Sequence, residues 1–163
     1  MDLGKLSKGG KIFAAGALVY LIASFLTWYS IDLPEIGISL SANAWESQVV
    51  GFGWGPLWAI LLVVGAVLLV LPAAGVKAPT MQPAVYLLVG ALSFIFTLLR
   101  LLIGYDGLDS GFGLYLAVVA AAAAAYGAFA DFTAGGGKLD RKSTRLNSQS
   151  LAYLVCRLLL EKK

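Results

Sequence analysis

The chain has no histidine and only one cysteine, Cys156, in its 163 residues. A single cysteine closes no disulfide within the chain, and without histidine no Cys/His zinc site can be assembled. Acid–base work would fall to carboxylates, tyrosine or lysine. Charge is scarce as well. Asp, Glu, Lys and Arg make up 13% of the residues, against roughly 25% in a soluble domain. There is no G-x-S-x-G elbow and no phosphate-binding loop, and no two carboxylates share an apolar run. These absences together predict a protein that is not an enzyme and holds no cofactor or metal. No internal repeat is visible, which argues against an inverted-repeat transporter.

What the chain has is apolar length. Hydrophobic residues make up 60% of it, with a mean hydropathy of +0.84. Four runs stand out: Ile12–Ser30, Pro56–Val76, Ala84–Ile103 and Gly111–Ala130. Each is close to the ~20 residues that a helix needs to cross ~30 Å of hydrocarbon. A soluble core of this size has no room to hide four such helices. The expected class is an all-α membrane protein, a four-helix transmembrane bundle over residues 1–139, with helices at about 12–30, 56–76, 84–103 and 111–132. Arg100 is the one charge in the runs.

The loops alternate in sign. Lys5, Lys8 and Lys11 precede the first run, Lys77 separates the second from the third, and Lys138 follows the fourth. The other two loops hold Asp32, Glu35, Glu46, Asp106 and Asp109, with no Lys or Arg. Basic residues in short loops stay on the cytoplasmic side, which predicts a multi-pass plasma-membrane protein with both termini inside. No A-x-A-like site follows Trp28, so the first run reads as a retained helix rather than a signal peptide.

Residues 140–163 read differently. Asp140–Ser148 resembles the translation of a common DNA-sequencing adapter, whose start, GATCGGAAGAGC, encodes Asp-Arg-Lys-Ser. Tyr153–Glu161 resembles its far end in a shifted frame. The stretch is read as a non-native tail and kept out of fold reasoning. It carries six basic and two acidic residues, so residues 1–139 have a net charge of −1 instead of +3. The basic balance is then no argument for a nucleic-acid partner, and none is expected. Cys156 leaves with the tail.

Between the first two runs, Ile36, Ile38 and Leu40 alternate with Gly37, Ser39 and Ser41, the period of a half-buried strand. Ile31 and Leu33 alternate before Pro34, so a short β-hairpin is expected in this first outer loop. Pro56 suits the first turn of the second helix; Pro72 and Gly75 should weaken its far end. Trp28, Tyr29, Trp54 and Trp58 lie near the predicted outer boundary, where amphipathic rings anchor at headgroup level.

Helical spacing places Tyr86, Gly90, Ser93, Thr97 and Arg100 on one face of the third helix, and Gly16, Tyr20, Ser24 and Thr27 on one face of the first. Gly113, Ala117, Ala120, Ala124 and Gly127 form a small-residue stripe on the fourth, suited to close helix packing within the chain or to a homo-oligomer face. Arg100 would snorkel to headgroups, pair with Glu46, Asp106 or Asp109, or contact a ligand. Arg100, Thr97, Ser93, Asp106, Asp109 and Glu46 are the candidate polar cluster. Exchanging Arg100 for lysine should be nearly neutral if charge alone matters.

The order Phe25-Leu-Thr-Trp28-Tyr29, Asn43-Ala-Trp45, Gly53-Trp54, Leu98-Leu-Arg100-Leu and Gly111-Phe-Gly-Leu-Tyr115-Leu resembles small four-span membrane proteins common in actinobacteria. The resemblance covers about residues 10–132. That family is uncharacterised, so it implies a fold and a bacterial plasma membrane but no activity. A strand-bearing first outer loop is also similar to claudin-like proteins, without their paired loop cysteines. Two functions follow as expectations. The first is a non-enzymatic protein acting through its outer loop or helix faces on other membrane or envelope proteins, with the lipid bilayer as its surroundings. The second is a small transporter or channel subunit, with the polar faces of the first and third helices lining a path to Arg100. A continuous cavity at Arg100 would favour the second, a close-packed interior the first.

Overall fold

The computed structural model describes residues 6–33, 38–46, 48–77, 82–105 and 107–135, with only the main chain of Leu33 and Ile38. In chain order the elements are α1 (Lys8–Phe25), β1 (Thr27–Leu33), β2 (Ile38–Asn43), α2 (Pro56–Val70), a 3-10 turn (Pro72–Ala74), α3 (Pro83–Ile103), β3 (Asp109–Ser110) and α4 (Phe112–Ala134). Four helices are long and apolar enough to cross a membrane, α2 counting together with its 3-10 turn. The adapter-like stretch, Pro34–Gly37 and Asp106 lie outside the described residues.

Local chemistry sets the boundaries. Ser7 caps α1, accepting from the Gly10 amide at 2.9 Å, as a hydroxyl at this position is suited to do. Pro56 and Pro83 open α2 and α3, where a missing N–H costs nothing. Pro72 has no N–H to continue the α-helical ladder, so α2 stops at Val70 and its last turn tightens to 3-10. The first helix is shorter at its far end than its apolar run. It ends at Phe25 because Thr27, Trp28 and Tyr29, β-branched or aromatic, enter a strand instead; residues of these types fit a pleated, half-buried surface. The Trp28 indole N–H donates to the Ala23 carbonyl at 2.9 Å, satisfying a helix-end acceptor that a continuing helix would have used.

The expected hairpin forms. β1 and β2 pair antiparallel, with Ser30 opposite Ser41 and Ile31 opposite Leu40. The sheet gains a third strand that the alternation did not signal: β3 pairs with β1 through Tyr29–Ser110 and Ser30–Asp109, giving the order β2-β1-β3. A two-residue strand carries no period, so only its position beside β1 identifies it.

α1 packs most extensively along α4, and α4 also lies against α3; α2 sits beside α1 and α3. The small-residue stripe is the seam. Gly113, Ala117, Ala120, Ala124 and Gly127 are all buried. A Cβ on Gly16 would lie 2.8 Å from the Ala124 amide nitrogen, and one on Gly127 2.6 Å from the Gly9 carbonyl oxygen. Small residues here let two backbones meet, within one chain. α1 and α4 therefore approach as closely as their main chains allow, and the start of α1 and the end of α4 fall at the same end of the bundle. The sheet and the 44–55 loop cap the other.

Candidate functional site

The five residues that helical spacing set on one face of α3 are the five buried ones: Tyr86, Gly90, Ser93, Thr97 and Arg100. Ser93 donates to the Gly90 carbonyl at 2.8 Å and Thr97 to the Ser93 carbonyl at 2.7 Å. The Thr97 hydroxyl has one proton, already given to Ser93, so the Tyr20 hydroxyl donates to Thr97 Oγ1 at 2.9 Å. This bond crosses the bundle centre between α1 and α3, and both side chains are fully buried. The two polar stripes serve helix–helix bonding at this level.

Arg100, one turn from the end of α3, is 8% exposed. It turns into the bundle and does not snorkel. Its Nη2 donates to the Val49 carbonyl at 2.8 Å, and Nη1 reaches toward the Gly104 carbonyl at 3.5 Å, a long contact. Gly104 closes α3 with φ of 66°, a conformation that costs a non-glycine residue dearly. The guanidinium carbon lies 5.2 Å from the centre of the Tyr29 ring, 5.4 Å from Tyr105 and 5.8 Å from Trp54. Such distances are within cation–π range. The Tyr29 hydroxyl donates to the Arg100 main-chain carbonyl at 3.1 Å, so ring and helix hold each other. Burial raises the Tyr29 pKa above its usual 10.0, with the Arg100 charge pulling it partly back. Among the described residues, Arg100 Nε is buried without a partner.

The predicted cluster is only partly assembled. Arg100, Thr97 and Ser93 line up along α3, but Glu46 and Asp109 are exposed, and neither carboxylate meets Arg100; Asp106 lies outside the described residues. The Glu46 contribution is its main-chain carbonyl, which accepts from Val49 and Val50 and so shapes the turn whose Val49 oxygen receives Arg100. The ring residues expected at headgroup level are mostly interior: Trp28 and Tyr29 are fully buried and Trp58 is 7% exposed. Trp28 meets Tyr20 edge-on at 6.4 Å, and Trp58 stacks on Phe96 at 5.0 Å. Trp54 is half-buried. The exposed aromatic pair is Phe25 stacked on Trp45 at 5.5 Å, with the Trp45 indole donating to Ser24 Oγ at 2.9 Å.

Sequence reasoning missed Asp131 and Ser7. Asp131 lies one residue past the fourth apolar run, inside α4. It accepts from the Ser7 hydroxyl at 2.8 Å and sits against Gly9 and Gly10. A carboxylate beside the first turn of α1 is favoured by the helix dipole. The signal was the Ser-x-Gly-Gly entry to α1, a hydroxyl cap followed by two residues without side chains.

Among the described residues, no group of three or more His, Cys, Asp or Glu side chains is placed to hold a metal ion. The chain matches no family model, no curated protein and no solved structure.

Proposed function

We propose that this is a multi-pass plasma-membrane protein with both termini in the cytoplasm, and that it acts without catalysis, presenting its capped end to other membrane or envelope proteins. The observation that carries the reading is the contrast between a sealed interior and an apolar cap. The centre is closed by the Tyr20–Thr97 bond, and the Arg100 guanidinium is enclosed by three rings and a main-chain carbonyl. On the cap, Leu40 is 60% exposed and Phe52 56%. Isolated exposed apolar residues are ordinary on soluble surfaces; here they stand on the part of the chain that projects beyond the apolar helices. Transport would need an open path to Arg100. Cavities of about 200 and 250 Å³ lie at the opposite end, beside Pro72, and one of about 420 Å³ lies on the α1–α2 flank; Arg100 lines none of the three.

The orientation is supported by Lys8, Lys11 and Lys77 at the end where α1 starts and α4 stops and by Asp32, Glu46 and Asp109 at the cap, following the positive-inside rule. The resemblance to four-span actinobacterial proteins agrees with a bacterial plasma membrane. Cysteines placed at Ser41 and Gly107 should react with an impermeant reagent added outside intact cells. Photocrosslinking amino acids at Leu40 and Phe52 should give protein adducts, while the same groups at Leu18 and Leu88 on the helix flanks should give lipid adducts. Adducts confined to the flanks, together with solute flux in proteoliposomes, would favour transport.

A further inference from the structure

At the end of the bundle opposite the cap, the four helices leave a cavity of about 200 Å³. Phe13, Leu68, Pro72, Tyr86 and Ala128 give it carbon walls, and among the described residues the Asp131 side chain is the one charged group lining it. Phe13 and Tyr86 meet edge-on with ring centres 5.6 Å apart. Asp131 accepts one hydrogen bond from Ser7 at 2.8 Å. A carboxylate has roughly four acceptor sites, so the Ser7 bond alone does not exhaust it.

We propose that this cavity binds an organic ammonium ion with a short apolar body. The proposal is independent of what the cap does. A carboxylate at the wall of an apolar chamber repels anions, and a neutral hydrocarbon would cover it without replacing its water. A bare metal ion needs several oxygen, nitrogen or sulfur ligands, and among the described residues no such group is assembled. An ammonium group donates to the carboxylate and lies over aromatic faces, while its carbon chain fills the remaining space. The size fits, since a cavity of ~150 Å³ takes a benzene-sized guest. The same chemistry is offered by a free alkylammonium ion and by the headgroup of an aminophospholipid reaching in from the bilayer.

The test is calorimetric titration of the full chain in dodecyl maltoside with hexylammonium chloride, and with 1-hexanol as the uncharged control. Saturable one-to-one binding is expected, weakened on the order of tenfold or more in Asp131→Asn; hexanol should be indifferent to that change. Because Asp131→Asn also weakens the bond that caps α1 through Ser7, Leu68→Trp provides a second arm: it narrows the cavity without changing Asp131 and should abolish binding. Native mass spectrometry then separates the sources. Retention of phosphatidylethanolamine over phosphatidylglycerol, reversed by hexylammonium, assigns the headgroup; equal retention assigns the free ion. Hexylammonium binding that is equal in Asp131→Asn or undiminished in Leu68→Trp would overturn the proposal, as would hexanol binding as tightly.

Discussion

Replacing Gly127 by alanine should loosen the seam between α1 and α4. The added Cβ would stand 2.6 Å from both the Gly9 carbonyl oxygen and the Phe13 amide nitrogen. Both are main-chain atoms of α1, so no side chain can swing aside. Restoring ordinary contact at ~3.5 Å requires the helices to part by roughly 1 Å. That separation runs along the seam, where Gly16 already meets Ala120 and Ala124 backbone. Overpacking of this kind costs ~1–3 kcal/mol. Against it stands up to ~1 kcal/mol gained by removing a glycine from a helix interior. The net expectation is a loss of about 1–2 kcal/mol, read as a lower thermal midpoint by tryptophan fluorescence in dodecyl maltoside. Gly65→Ala is the control. The nearest atoms its Cβ would meet belong to the Phe13 ring at 3.3 Å and Tyr86 at 3.7 Å, side chains beside the cavity. It should be neutral or slightly stabilising. A Gly127→Ala protein as stable as the parent, with Gly65→Ala the weaker of the two, would refute the close-approach argument.

Three further outcomes are expected in the same assay. Arg100→Lys should be destabilising and closer to Arg100→Leu than to the parent, because an ammonium cannot donate to Val49, reach toward Gly104 and keep close to three rings together; the stranded Val49 carbonyl alone costs ~1–3 kcal/mol. This reverses the near-neutral exchange expected from charge alone, and a neutral lysine variant would restore it. Tyr20→Phe should cost ~0.6–1.7 kcal/mol, the range of a polar contact between packed membrane helices, since Thr97 keeps its bond to Ser93; no change would mean the bundle centre does not depend on that bond. Tyr29 has a folded pKa raised above 10.0, so its contribution is fully present below pH 10 and is lost as pH climbs through the higher folded value. Tyr29→Phe should flatten this part of the alkaline stability curve, and an unaltered curve would count against the assignment.

The helices were legible because hydropathy over some twenty residues is a strong, redundant signal, and Pro56 and Pro72 marked the ends of α2. The α3 face from Tyr86 to Arg100 and the α4 small stripe were legible because their spacing follows the helical period. The hairpin showed through two short alternations. Less visible was anything decided by an encounter. Trp28 and Tyr29 have the composition of headgroup anchors, yet they are buried because α1 stops at Phe25 and turns them inward under the sheet. Arg100 was the evident charge to explain, but its surroundings come from three separate segments, and the oxygen it reaches at 2.8 Å belongs to a valine main chain. No side-chain pattern encodes that choice. Asp131 escaped notice because it follows the apolar run by one residue, and its partner Ser7 lies 124 positions away.

The surroundings of Arg100 also carry an order of arrival. Tyr29, Val49 and Trp54 all precede α3 in the chain, and Tyr105 follows only five residues after Arg100. During synthesis, then, two of the three rings and the Val49 carbonyl that accommodate the guanidinium are made before the helix that delivers it, and the third ring follows directly. A positive charge entering hydrocarbon alone is costly, but here its berth can be waiting. The hairpin and the loop that precedes α2 thus stand earlier in the chain than the charged helix they enclose, so chain order favours shelter before charge.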